Sequence, residues 1–209
     1  MPFISFEGID HCGKRTQVER IKSWLEAVTD KTVFCLSEPN DKTPIGQHIR
    51  RILKGEVGFP GDMELQRLFA LCQAQDWECS IKPALSLGAF VILERYAHST
   101  LAYSDASGLD IKTVHDMQKV IIGPTFQWPD VTVFIDISVK EATRRIETAR
   151  SIPEYFEESE RVRKAREAYH FISNSHHKFG NMVIVNGEQS VEVVTEEIKQ
   201  LIMNEFYLT

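Results

Sequence analysis

Gly8 and Gly13 bracket four residues, Ile9, Asp10, His11 and Cys12, and Lys14 follows at once. Glycines let a backbone curl until several N–H groups converge on one anion. A lysine beside such a nest supplies a mobile cation for outer phosphates. Ahead of the loop, Phe3, Ile4 and Phe6 form an apolar run fit for a buried strand. Behind it, Val18, Ile21, Leu25 and Val28 recur at helical spacing. Strand, glycine-bounded loop, lysine and helix is the context that a phosphate-binding P-loop requires. The helix N-terminus adds a positive dipole end and unpaired N–H groups. The same stretch also fits a turn that caps an ordinary helix. The pattern is G-x-x-x-x-G-K-[ST], whose hydroxyl serves a metal, yet Arg15 follows Lys14. Thr16 comes one residue late and points about 100° away round the helix.

A second group of chemically able residues ends the apolar run 89–93: Glu94, Arg95 and Tyr96. Charges at the end of a buried strand fall where open α/β sheets gather ligands. Arg95 there is an anion grip or half of an ion pair with Glu94. Arg144, Arg145 and Arg150 make a basic stretch that serves a polyanion or a solvated helix face. Asp10 meets a ligand or closes its own turn. Phe69 and Tyr103, taken alone, read as core.

The elements that position these residues alternate along the chain. Helix is expected over 14–27, strand over 32–36, and an amphipathic helix through Ile45, Ile49, Ile52 and Leu53. A long helix is expected over 63–85, kinked near Pro83 and stopped by Gly88. A strand over 89–93 follows, then helices over 99–104 and 110–121, with Asp110 as N-cap. Strand 131–137, helices 139–150 and 157–173, strand 182–185 and a helix striped by Val191, Val194, Ile198, Leu201 and Ile202 complete the chain. Five short apolar strands separated by helices imply an α/β fold: a five-stranded parallel sheet with helices on both faces.

The 209 residues suit a single domain spanning 1–209 with a full core. At 43% hydrophobic and 26% charged residues, the composition is that of a folded globule. A net charge of −6 argues against a general nucleic-acid binder. There is no apolar run of membrane-spanning length and no basic stretch ahead of an apolar one, so a cytoplasmic protein is expected. Cys12, Cys35, Cys72 and Cys79 form no CxxC pair and have no companion histidine at metal spacing, so they read as reduced thiols.

The sequence resembles the thymidylate kinase family, nucleoside-monophosphate kinases of the P-loop class. The resemblance rests on Phe6-Glu7-Gly8-Ile9-Asp10 running into Gly13-Lys14 and Thr16-Gln17, then Glu38-Pro39 and Thr43-Pro44-Ile45-Gly46. It continues through Leu68-Phe69-Ala70, Ala74-Gln75, Ile81-Lys82-Pro83-Ala84-Leu85, Arg95-Tyr96, Ser99, Leu101-Ala102-Tyr103 and Pro129-Asp130. It implies phosphoryl transfer from ATP, with Mg²⁺, to the 5′-phosphate of dTMP, giving dTDP on the route to dTTP, and a homodimer. Gly8, His11, Cys12, Gly13, Lys14, Arg15 and Thr16 would then hold ATP, joined by Arg144 and Arg150 from a small lid at about 144–157. Asp10, Glu38, Arg51, Phe69, Gln73, Arg95, Ser99 and Tyr103 would hold the acceptor, with Phe69 on the thymine and Tyr103 on the sugar. Lys14, Arg95, Asp10 and Arg15 would carry catalysis, and Glu94 and Thr16 would serve the metal.

Departures from the family pattern fall at functional positions. Arg15 stands for a Ser or Thr, Glu94 for an Asp, Gln73 for an Arg that helps read the base, and Ser37 for an Arg. Tyr155-Phe156-Glu157 lacks an Arg often seen just before it. Arg15 near the β-phosphate, or paired with Glu94, would stand in for part of the metal's charge; otherwise it faces solvent. Two readings besides thymidylate kinase stay open. One is a kinase for another deoxynucleoside monophosphate, or for a nucleoside with Glu38 or Glu94 as base. The other is a nucleotide-binding protein with impaired catalysis.

Overall fold

The structure is a computed structural model that describes residues 2–149 and 159–208. Its strands are β1 (Phe3–Glu7), β2 (Val33–Ser37), β3 (Phe90–Glu94), β4 (Val131–Asp136) and β5 (Met182–Asn186). They form one sheet in the order β2-β3-β1-β4-β5, and every neighbouring pair is parallel. Central β1, β3 and β4 are buried along nearly their whole length, while β2 and β5 at the edges are partly exposed. That is why the three inner strands read as continuous apolar runs. Chain order places β1 between β3 and β4, so connections leave it in opposite directions. A crevice therefore opens at the carboxyl ends of these strands.

The helices are α1 (Lys14–Val28), α2 (Pro44–Leu53), α3 (Asp62–Asp76), α4 (Lys82–Ser86), α5 (Ala97–Ala106), α6 (Ile111–Ile122), α7 (Val139–Ala149), α8 (Ser159–Ser173), α9 (His176–Phe179) and α10 (Val191–Phe206). Alternate residues of β1 enter different cores. Ile4 and Phe6 pack in one cluster with Ile21, Leu25 and Ile198; Phe3 packs in the other with Trp77 and Tyr96. Fully burying a side chain such as Leu25 contributes roughly 2 kcal/mol. Gln17 ties α1 to α10 through bonds to the Val191 carbonyl and the Thr195 hydroxyl.

The helix expected over 63–85 is broken by a π-helical turn, Trp77–Ile81, between α3 and α4. Pro83 has no N–H and its ring would strike a carbonyl one turn back. The wider turn places Pro83 in the first turn of α4, where no N–H is missed. Asp110 caps α6 as expected, accepting the Thr113 N–H at 2.8 Å. Thr43 caps α2 through the Gly46 N–H at 3.1 Å. A Cβ on Gly46 would lie 1.9 Å from the Asn40 carbonyl oxygen, so only glycine lets α2 pack this closely on the 38–43 loop. The short α9 carries no periodic signal and is absent from the sequence reading.

His98 is fully buried in α5 against the Trp128 ring, 4.4 Å between centroids. Its Nε2–H donates to the Phe179 carbonyl at 2.7 Å. Burial lowers its pKa from 6.5 to about 4. The unfolded chain therefore binds a proton that the folded chain refuses between those values, and stability falls as pH drops from about 6.5 to about 4. The shift corresponds to about 3 kcal/mol. Urea unfolding should show this loss across that window, and His98→Gln should flatten it; an unchanged slope in the variant would contradict the assignment.

Candidate active site

After β1 the chain turns at Gly8, φ 140°. A Cβ there would lie 2.5 Å from the Ile135 carbonyl oxygen and 2.8 Å from Cys12 Sγ, so the loop presses on β4 only as glycine. His11 (φ 61°) and Gly13 (φ 100°) curl the loop further. The first turn of α1 has no side-chain cap and no acidic residue, so its N–H groups are left for an anion. Lys14 is buried and folded back on the loop, its Nζ donating to the carbonyls of Gly8 (3.1 Å) and Ile9 (2.8 Å) beside Cys12 Sγ (3.5 Å). Lys14 and Arg15 put positive charge at the positive end of the helix dipole, an arrangement that a polyanion would relieve. Arg145 on α7 reaches the same loop. Its Nη1 donates to the His11 carbonyl (3.2 Å), its Nη2 to the Gly187 carbonyl (2.9 Å) and its Nε to Glu141 (2.7 Å).

Arg95 stands at the end of β3 with φ 68°, an unusual backbone for a side-chain-bearing residue. Its Nη1 donates to the Gly8 carbonyl and the Ser99 hydroxyl, both at 3.0 Å. Its Nη2 donates to Asp10 at 2.5 Å and the Tyr103 hydroxyl at 3.3 Å. Behind it lies Glu7, fully buried at the end of β1. Glu7 accepts the Tyr96 N–H (2.7 Å) and the hydroxyls of Ser99 (2.5 Å) and Tyr169 (2.9 Å). Burial raises the Glu7 carboxyl, and Ser99, Arg95, Tyr169 and Tyr96 restrain the rise. Burial would raise Asp10 too, but Arg95, Lys14 and Tyr103 outweigh it and bring it to about 2. Asp10 is therefore an ionised acceptor across the ordinary pH range. Tyr169 arrives on α8, which Arg166 and His170 tie to Asp136 at the end of β4 (2.7, 2.8 and 3.0 Å).

Beside Arg95 opens a partly enclosed cleft lined by both polar and apolar side chains. Glu38 and Arg50 line it from the β2 side, and Gln66, Phe69 and Gln73 line it at helical spacing along α3. Arg95, Ser99 and Tyr103 close it toward the phosphate loop. The Gln73 amide is oriented by neighbours: Nε2 donates to Thr100 Oγ1 (3.0 Å) and Oε1 accepts from Gln118 (3.1 Å).

Most sequence-derived site residues thus meet around one crevice: Gly8, Asp10, His11, Cys12, Gly13 and Lys14 on the loop, and Glu38, Phe69, Gln73, Arg95, Ser99 and Tyr103 in the cleft. Arg51 is not among the cleft residues. It is exposed and pairs with Glu56 at 3.8 Å, while Arg50, one residue and about 100° round α2, lines the cleft. Arg144 is exposed and chelates Glu141 (2.8 and 2.7 Å); Arg145 is the one that touches the loop. Arg15 does not pair with Glu94. It is 83% exposed and bonds Glu19 one turn on at 3.2 Å, and Glu94 instead accepts a 3.4 Å bond from Ser37. Thr16 faces a groove shared with Thr195 and Lys199, on the α10 side of α1. Arg150, and the 150–157 part of the expected lid, lie outside the described residues. Glu7, Tyr169, Arg50 and Gln66 are additions from the structure, and Arg145, read from sequence only within the basic stretch, takes the place expected of Arg144. Only Glu7 carried a signal, an acid closing an apolar strand.

The thymidylate kinase family model matches residues 6–198. The chain belongs to the thymidylate kinase family. It is 36% identical over 209 residues to a probable thymidylate kinase of Pyrococcus horikoshii, covering 97% of this chain and 96% of that one. It is 34% identical over 207 residues to a probable thymidylate kinase of Thermococcus kodakarensis, covering 96% of both. A thymidylate kinase of Caldanaerobacter subterraneus subsp. tengcongensis is 34% identical over 194 residues, covering 92% of this chain and 90% of its own. The glycine loop, the cleft and Arg95 between them all lie within the matched residues.

Gly8→Ala should lower the thermal midpoint by an amount equivalent to about 1–3 kcal/mol, because the left-handed turn and the β4 contact are both lost. It should also weaken ATP binding at least about tenfold, measured by calorimetric titration. Unchanged ATP affinity in a folded variant would remove the loop from the site.

Proposed function

We propose that this chain transfers the γ-phosphoryl group of ATP to the 5′-phosphate of dTMP, yielding dTDP and ADP. The observation that carries the reading is the position of Arg95, between a phosphate loop and a cleft with an aromatic wall. An oxygen of the acceptor phosphate attacks the γ-phosphorus, and the bond to the ADP oxygen breaks. Such transfers need alignment and charge neutralisation more than covalent help. The loop N–H groups and Lys14 take the ATP phosphates, and Arg15 adds positive charge in the first turn of α1. Arg145, on α7 at the start of a lid, joins them and helps exclude water. Arg95 takes the acceptor phosphate, releasing Asp10 to accept a sugar hydroxyl. Phe69 stacks on the base, Tyr103 packs on the sugar, and the Gln66 and Gln73 amides offer a donor and an acceptor to the base edge.

Mg²⁺ accompanies ATP in this reading. Glu94 fits it: a hard carboxylate beside Arg95, only partly buried, with no ion pair among the described residues. Thr16 faces the α10 groove and does not fit. The ion supplies charge neutralisation on the phosphates when bound. Among the described residues, no helix is long and apolar enough to cross a membrane.

Coupled ADP release with ATP and Mg²⁺ should be fastest with dTMP among the deoxynucleoside monophosphates and absent with thymidine. Turnover of no acceptor would overturn the reading. Arg95→Lys should lower kcat/KM for dTMP about 100-fold, since an ammonium cannot reproduce the planar fork. Arg15→Ser should raise the apparent Mg²⁺ affinity in the same assay, because a cation in the first turn of α1 is exchanged for a hydroxyl. An unchanged Mg²⁺ titration would place Arg15 among solvated surface charges.

A further inference from the structure

Beside the acceptor cleft, and sharing Glu38 with its wall, lies a second group of polar residues. Cys72 and Asp76 sit one turn apart on α3, and Glu38 faces them from the β2–α2 loop. All three are buried, and one potential ligand atom from each lies within 4.8 Å of the others. Glu38 is only 3% exposed, and neither carboxylate oxygen is held by a well-formed hydrogen bond, although the Gln73 side chain lies close enough to favour its ionised form. Among the described residues no lysine or arginine pairs with Glu38 or Asp76, although exposed carboxylates elsewhere are paired repeatedly. Buried acids without a cation are costly, and each must take up a proton or a metal.

Asn40 supports the second outcome. Its side chain donates to Asp76 Oδ1 at 2.7 Å, and the Cys72 thiol donates to Oδ2 at 3.8 Å. Its backbone N–H favours the Cys72 thiolate. A group that orients two ligands at once is the outer shell that metal sites carry. Gly46 holds this loop by its close approach to the Asn40 carbonyl. Burial raises the acids of Glu38 and Asp76 and pushes the Cys72 thiol up to about 12, so the triad as it stands resists ionising without a counter-charge.

We propose that Glu38, Cys72 and Asp76 form a binding site for a divalent transition-metal ion of the Zn²⁺ class. One thiolate with two carboxylates suits Zn²⁺, whereas Mg²⁺ and Ca²⁺ take oxygen ligands alone. Glu38 also lines the acceptor cleft, which provides the entry path and an open fourth position. Binding releases the Cys72 thiol proton to solvent together with any proton held on the carboxylates. The site is separate from Glu94 and does not depend on the kinase reading.

The test is a Co²⁺ titration of the metal-free full chain, read by the near-ultraviolet sulfur-to-cobalt charge-transfer band. One equivalent should produce the band, and Zn²⁺ should abolish it by displacement. Cys72→Ser should remove the band, and Cys79→Ser should leave it intact. Glu38→Gln keeps the side-chain size and removes a buried charge, so it reports even if the cysteine variant fails to fold. It should weaken Co²⁺ binding at least about tenfold, and Asn40→Ala should weaken it by a similar factor. No band at one equivalent, or a band that survives Cys72→Ser or keeps its affinity in Glu38→Gln, would overturn the site.

Discussion

The guanidinium of Arg95 is the constraint on which the rest of the site depends. Its donors reach the Gly8 carbonyl on the phosphate loop, Ser99 and Tyr103 on α5, and Asp10 within the loop. One planar group therefore fixes the distance between the glycine loop and the cleft. Its left-handed backbone, φ 68°, carries strain that the surroundings must offset. Glu7 does so by accepting the next N–H, that of Tyr96, at 2.7 Å. Ser99 links the two charges: its oxygen accepts from Arg95 and its hydrogen goes to Glu7. The arginine is held on three sides and retains an open face toward the cleft.

The fold serves this arrangement through its strand order. Because β1 lies between β3 and β4, the Gly8 turn, Arg95 and Asp136 emerge side by side at one edge of the sheet. Asp136 anchors α8 through Arg166 and His170, and α8 delivers Tyr169 to Glu7. Capping and close packing do the same on the β2 side, where Thr43 and Gly46 hold the loop bearing Glu38 and Asn40. The start of α1 is uncapped and acid-free, and it lies where a polyanion belongs.

Much of this was legible in the amino-acid order. Inner parallel strands must be apolar on both faces, so β1, β3 and β4 were readable as apolar runs, the short β-rich runs marked the two edge strands, and the glycine-to-lysine spacing marked the loop between β1 and α1. Two kinds of information were not local. Choosing Arg50 over Arg51, or Arg145 over Arg144, needs the rotation of a helix about its axis, which shifts by about 100° per residue. The partners of Glu7 lie 89 to 162 residues away and meet only through the topology. Cys72 showed no companion histidine, and Glu38 reaches its side from another element. The π-helical turn before Pro83 was foreshadowed as a kink, but its form depends on how Trp77 and Ile81 fit the second core.

The central claim is that a buried carboxylate holds Arg95 in its working position. Steady-state kinetics of Glu7→Gln with ATP and dTMP test it most directly, together with dTMP binding and thermal unfolding of the same variant. The account predicts a folded protein whose kcat falls about 10- to 100-fold as the acceptor phosphate loses its aligned partner. Wild-type kcat and dTMP affinity in a folded Glu7→Gln protein would contradict it.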